Sequence, residues 1–201
     1  MGTSSIRRTA VPRKVTAVMA TVALLLAGCS SGTDANVQGG IFVFTSPGGK
    51  TEFAYPAGRR GTIGELSGPE VGNGGTVALS GYSGKVVVLN AWGSWCGGCR
   101  AETDSLVVAA NLLQPRGAQF LGLDLKDQPG AGADYQTQKS IPYPSIEDFA
   151  MRTLISIRGF PTASIPATIV LDHDHRVAHI WLGSVTDTQL VPVVTQLVAE
   201  R

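Results

Sequence analysis

The sequence predicts an α/β sandwich built on a mixed sheet, and three observations carry this. Runs at 85–92 (KVVVLNAW) and 119–125 (QFLGLDL) have the nearly unbroken apolar, β-branched composition of strands buried on both faces. Between them, 102–113 carries Leu106, Ala109, Ala110 and Leu113 at helical spacing. Later, 168–171 and 177–182 flank a turn at 172–176 as an antiparallel hairpin, and 187–200 closes the chain as an amphipathic helix. Pro192 is expected in the first turn of that helix, where its missing N–H costs little. Strand, helix, strand, helix, hairpin and helix is the element order of such a sandwich.

Composition agrees. The chain has 201 residues, 43% of them hydrophobic, enough for one domain with a core. Sixteen basic residues against fifteen acidic ones leave a formal charge of +1, so no electrostatic footprint for nucleic acid is present. Three histidines and three cysteines are too few for a multi-zinc scaffold, and the odd cysteine asks for an explanation.

The N-terminus supplies one. Arg7, Arg8, Arg13 and Lys14 precede an apolar stretch at 15–26, and Leu26-Ala27-Gly28-Cys29 follows, the form of a bacterial lipobox. The apolar stretch is short against the roughly 20 residues of a spanning helix. The expectation is a lipoprotein signal peptide at 1–28 and lipidation of Cys29, so that the protein is exported and anchored to the outer face of the cytoplasmic membrane. Loss of the leader removes four basic residues and no acidic ones, leaving a mildly acidic chain with Cys96 and Cys99 free for chemistry.

The small polar residues of 29–40 are expected to form a flexible tether. At 41–61, strand-like 41–46 and 51–55 around Pro47-Gly48-Gly49-Lys50 predict an accessory β-hairpin. The main domain then runs over 62–201. Two short strand-like pieces lie within 66–79 around Gly72-Asn73-Gly74-Gly75, and 134–140 and 149–157 are expected to be helical, joined by an extended Pro142-Tyr143-Pro144 link.

The chemical centre is Trp92-Gly93-Ser94-Trp95-Cys96-Gly97-Gly98-Cys99-Arg100, a Cys-x-x-Cys where a buried strand turns into a helix. At a helix N-terminus the first sulfur meets unpaired backbone N–H groups and the positive dipole end, which favour a thiolate. The spacing sets the second sulfur one turn along, close enough to close a small disulfide ring, so one cysteine can attack and the other resolve. Glu102, three residues after Cys99, shares their side of the helix; its bland reading is a first-turn carboxylate favoured by the dipole. Trp92 is expected in the core, while Trp95 either covers the disulfide or lines a substrate groove. His173, His175 and His179 are expected to be a solvated turn and its neighbour, not metal ligands.

The segment VVVLNAWGSWCGGCRAE resembles the active site of the TlpA/ResA-like thiol:disulfide oxidoreductases of the thioredoxin superfamily, a resemblance covering about residues 62–201. It implies a thioredoxin-like fold, a mixed central sheet flanked by helices, with an N-terminal β-hairpin extension (66–79) and an insertion after the second core strand (129–164). The hairpin at 41–55 is similar to extensions of actinobacterial members. Ile165-Pro166-Ala167-Thr168 resembles the family's Pro-x-Thr segment, which implies a cis Pro166 facing the disulfide and an Ile165 backbone that pairs with substrate. In this branch a glutamate at the position of Glu102 influences the thiols, and Asn90 stands where thioredoxins proper carry a buried aspartate.

The resemblance also implies a CcdA/DsbD-type membrane electron donor, apocytochrome c as client, and no cofactor beyond the redox-active Cys96–Cys99 pair. Relatives carry proline before the second cysteine, whereas this chain has Gly97-Gly98, so the direction of electron flow stays open. The rival functions are an extracytoplasmic thiol oxidase, a thiol peroxidase, which would want threonine where Gly93 stands, and a Sco-like copper-binding module, which would need Cys-x-x-x-Cys.

Overall fold

The computed structural model describes residues 1–2, 35–45, 48–128 and 130–200. The signal segment, the lipobox and Cys29 lie outside the described residues. Among the described residues the unit Thr33–Arg201 contains ten strands: β1 (Ala35–Gln38), β2 (Ile41–Phe44), β3 (Glu52–Ala54), β4 (Ser67–Pro69), β5 (Thr76–Ala78), β6 (Val86–Trp92), β7 (Ala118–Leu125), β8 (Ser145–Asp148), β9 (Ala167–Leu171) and β10 (Val177–Leu182). Three α-helices accompany them: α1 (Gly97–Leu113), α2 (Ala131–Lys139) and α3 (Asp187–Ala199).

Six strands form one sheet in the order β3-β10-β9-β6-β7-β8, with β6, β7 and β8 parallel and the other pairings antiparallel. Every residue of β6 is buried, as its composition requires. Its side chains alternate between two apolar layers. Val86 and Val88 pack with Leu106, Ala109, Ala110 and Leu113 of α1 and with Leu190, Val194 and Leu197 of α3. Val87, Leu89 and Ala91 pack with Phe42, Phe44, Phe53, Leu66 and Phe160, a layer that draws no residue from the α-helices. The thioredoxin-like fold is therefore present with its helices gathered on one face and irregular segments sealing the other.

That second layer explains a correction. The strands at 41–44 and 52–54 do not pair with each other as an accessory hairpin. β2 pairs with β1, inside the segment expected to be tether, through a Gly39-Gly40 turn whose φ values of 59° and 84° suit the two-residue hairpin loop. β3 instead joins the main sheet along β10. Phe42, Phe44 and Phe53 are at most 3% exposed, with Phe44 edge-on to Phe53 at 5.1 Å and Phe42 edge-on to Tyr55 at 5.2 Å. Burying these rings against the domain outweighs a local hairpin that would leave one of its faces in water. The segment 41–61 is thus part of the domain core.

The hairpin expected within 66–79 is present as β4 and β5. The insertion after β7 contains α2, then β8, which extends the sheet where only a link was expected. The helix expected at 149–157 is a short 3₁₀ turn, Arg152–Ser156, capped by Asp148, which accepts from the backbone N–H groups of Arg152 (2.9 Å) and Thr153 (2.7 Å) and from the Thr153 hydroxyl (2.6 Å). Pro192 lies inside α3 and not in its first turn, because the helix begins at Asp187. There it removes one ladder hydrogen bond.

Candidate active site

β6 carries the chain to the C-terminal end of the sheet, and α1 starts five residues beyond Trp92. Cys96 is the N-cap of α1, and its Sγ accepts from the Cys99 backbone N–H at 3.1 Å, one of the orphan donors of the first turn. Cys96 and Cys99 form a disulfide with Cα atoms 5.3 Å apart. Cys96 is 6% and Cys99 2% exposed, so the first sulfur is the one nearer solvent.

The Ile165–Pro166 peptide bond is cis. The Pro166 ring lies against the first turn of α1, where a Cβ added at Gly98 would stand 3.0 Å from Pro166 Cδ. The Gly98 carbonyl also accepts from the Ser184 hydroxyl at 3.1 Å. Ile165 packs, partly buried, on a cluster of Trp92, Cys96, Cys99 and Tyr135. Four expected site residues, Cys96, Cys99, Ile165 and Pro166, are thereby brought together.

Glu102 follows Cys99 by one helical turn and is 3% exposed. Its Oε1 accepts from Asn90 Nδ2 at 2.9 Å and its Oε2 from the Val185 backbone N–H at 2.9 Å. Burial pushes its carboxyl up to about 7, while these two hydrogen bonds pull the other way. Asn90 Nδ2 also approaches Thr168 Oγ1 at 3.4 Å, linking β6 to β9. Both carboxylate oxygens are engaged by other elements, which goes beyond a first-turn dipole contact, and the position can hold or release a proton near neutrality.

The two tryptophans divide between core and rim. Trp92 is buried, and its neighbours are the cysteines. Trp95 is 54% exposed on the rim, its Nε1 donating to the Leu125 carbonyl at 2.8 Å. Of the histidines, His173 and His175 lie in the turn after β9 and contact the Gly84 and Tyr82 carbonyls, while His179 is buried on β10 beside Glu52. Among the described residues no group of three His, Cys, Asp or Glu side chains is placed to hold a metal ion.

Sequence reasoning missed Tyr135 of α2. Its ring lies 5.7 Å from Trp92, its hydroxyl is 2.8 Å from Thr103 Oγ1, and the Arg100 guanidinium sits 5.3 Å above it. Thr103 in turn donates to the Cys99 carbonyl at 2.8 Å. No local signal marks a tyrosine so far along the chain as a wall of this site.

The family described as AhpC/TSA matches residues 64–180, more than half of the chain. The chain belongs to the AhpC/TSA family. The curated relatives it matches are thiol:disulfide oxidoreductases, among them ResA and HelX proteins. It is 21% identical over 118 residues to the thiol-disulfide oxidoreductase ResA of Bacillus subtilis, covering 59% of this chain and 64% of that protein. The chain thus spans a little under two thirds of the length of that curated relative. Two solved structures are matched along their whole length at 38% identity. A DsbF homologue from Corynebacterium diphtheriae covers 79% of this chain with a TM-score of 0.75. A secreted thiol-disulfide isomerase from Corynebacterium glutamicum covers 81% with a TM-score of 0.78.

Proposed function

We propose that this AhpC/TSA-family protein catalyses thiol–disulfide exchange outside the cytoplasmic membrane, in the direction of disulfide reduction. The observation that carries the reading is the placement of Cys96 Sγ at the N-cap of α1, with Cys99 buried one turn along and the cis Pro166 against Gly98 between them. The reduced Cys96 thiolate attacks one sulfur of a client disulfide, forming a mixed disulfide and releasing one client thiolate. The Cys99 thiolate then attacks Cys96 Sγ, which expels the second client thiolate and closes Cys96–Cys99. Two electrons pass to the client, and the cysteine pair carries them with no further cofactor. Glu102, poised near neutrality, takes up or returns the proton of the resolving thiol. The client strand pairs with the backbone at Ile165, whose own N–H donates to the Ala163 carbonyl at 3.2 Å, and Trp95 lines its path.

The leader at 1–28 and the lipobox support export and lipidation at Cys29. No helix among the described residues is long and apolar enough to cross a membrane. A CcdA/DsbD-type membrane protein would re-reduce the pair, and the resemblance to ResA favours the Cys-x-x-Cys-His site of apocytochrome c as client. A Cys99→Ser variant tests this directly. It retains the attacking thiol and lacks the resolving one, so it should accumulate a mixed disulfide with an oxidised Cys-x-x-Cys-His peptide; absence of that adduct removes this client.

A second reading, donation of disulfides to folding proteins, is favoured by the 38% identity to the secreted thiol-disulfide isomerase from Corynebacterium glutamicum. The reduction potential separates the two. A value near about −270 mV supports the reductase, and one near about −120 mV establishes the oxidant.

A further inference from the structure

The segment leading into Cys96 rests on a pair of buried carboxyl groups that thiol–disulfide exchange itself does not use. Asp127 is 8% exposed and accepts from the Ser94 backbone N–H at 2.7 Å and from the Ser94 hydroxyl at 2.6 Å. Asp124, near the end of β7 and in register with Trp92 of β6, is 2% exposed and lies within hydrogen-bonding reach of Asp127. Its Oδ1 meets no hydrogen-bond partner. Helix α2 closes over it so tightly that a Cβ at Gly132 would overlap Asp124 Oδ2.

The charges facing Asp124 are all negative. Asp127 lies on the same segment and Glu147 is its register partner on β8; α2 presents the uncharged Gly132, and β6 presents Trp92. Among the described residues neither carboxyl forms an ion pair with a cation. A carboxyl sealed from water beside other carboxylates ionises only at a large penalty, so Asp124 keeps its proton.

We propose that Asp124 keeps its proton in the folded protein and donates it to Asp127, the two acting together as a positioning pair that holds Ser94, and through it the approach to Cys96, in place only while that proton is bound. In the one-proton state Asp124 donates to Asp127, and Asp127 keeps both bonds to Ser94. Loss of the proton to solvent leaves two buried negative charges under the segment, and their repulsion is relieved by opening it. Burial, Asp127 and Glu147 together push the Asp124 carboxyl up to about 8, which places the change on the alkaline side of neutrality. This deepens the thiol–disulfide reading and rests on it.

The test is the pH profile of Cys96 alkylation by iodoacetamide in the reduced protein, taken in a Glu102→Gln background so that Glu102 adds no step. The expected profile shows the thiol's own ionisation and a second transition near pH 8. Asp124→Asn, which keeps the shape and supplies a permanent donor to Asp127, should abolish the second transition; an identical profile overturns the proposal. Should that variant not fold, carboxyl ¹³C NMR of the unaltered protein decides. The Asp124 carbon should shift on the alkaline side, whereas titration near the ordinary value of about 4 overturns the proposal. Neither readout requires a disulfide substrate, so a failure of Cys96–Cys99 to exchange would sink the functional reading separately.

Discussion

Replacing Glu102 by glutamine should change the sign of its effect on stability between acid and alkaline pH. In the folded protein burial raises the carboxyl from 4.5 to about 7, so the native state binds this proton more tightly than the unfolded chain. The associated stability is fully present below about pH 4.5 and is lost as pH rises through about 7. At about 1.4 kcal/mol per tenfold change in proton affinity, the loss is about 3 kcal/mol. Glutamine carries one acceptor oxygen where Glu102 uses two, so either Asn90 Nδ2 or the Val185 N–H loses its partner. That costs about 1–3 kcal/mol at every pH. The variant should therefore be less stable than the parent at pH 5 and equal or more stable at pH 8. Urea unfolding of the oxidised proteins at pH 5, 6, 7 and 8 measures it, and because Asp124 titrates in both proteins its contribution cancels in the difference. Parallel stability profiles would refute the reasoning, since they would mean that Glu102 titrates alike in the folded and unfolded chain.

Two further substitutions probe the walls of the site. Gly98→Ala places a Cβ 3.0 Å from Pro166 Cδ, and the crowding should cost about 1 kcal/mol after the gain in helix propensity, seen as a lower Tm and slower exchange with protein disulfides. An unchanged Tm and rate would show that the cis-proline loop yields freely. Trp95→Ala removes an exposed ring with one hydrogen bond to Leu125, so stability should fall by about 1 kcal/mol or less. Turnover of a protein disulfide should fall well below turnover of oxidised glutathione relative to the parent; equal losses with both would take Trp95 out of the client groove.

The chemistry was legible because it is local. Cys-x-x-Cys after a β-branched run sets two sulfurs on one helical turn, and Glu102 one turn further shares that face by period alone. Pro166 needed the resemblance as well, since an isolated X-Pro bond favours trans. The N-terminal strands misled for the complementary reason. The turn signal is real at Gly48-Gly49, yet the partner of the strand after it is set by which sheet edge is open, and that edge belongs to β10, more than a hundred residues away. The spacing at 149–157 predicts a helix where the chain forms the 3₁₀ turn Arg152–Ser156, because short apolar spacing does not separate a helix from irregular chain packed on a core.

By itself, then, the sequence determined the sheet-and-helix order, the redox pair and the helix start that activates it, all properties of residues within a few positions of one another. Tertiary structure alone decided what surrounds the pair: Tyr135 against Trp92, Asp127 beneath Ser94 with Asp124 sealed behind it, and both oxygens of Glu102 held by Asn90 and Val185. These contacts join segments with no shared periodicity, and their consequences arise from burial. A carboxyl is shifted only when the chain that excludes water from it has folded over it, and no spacing rule encodes which segment that will be.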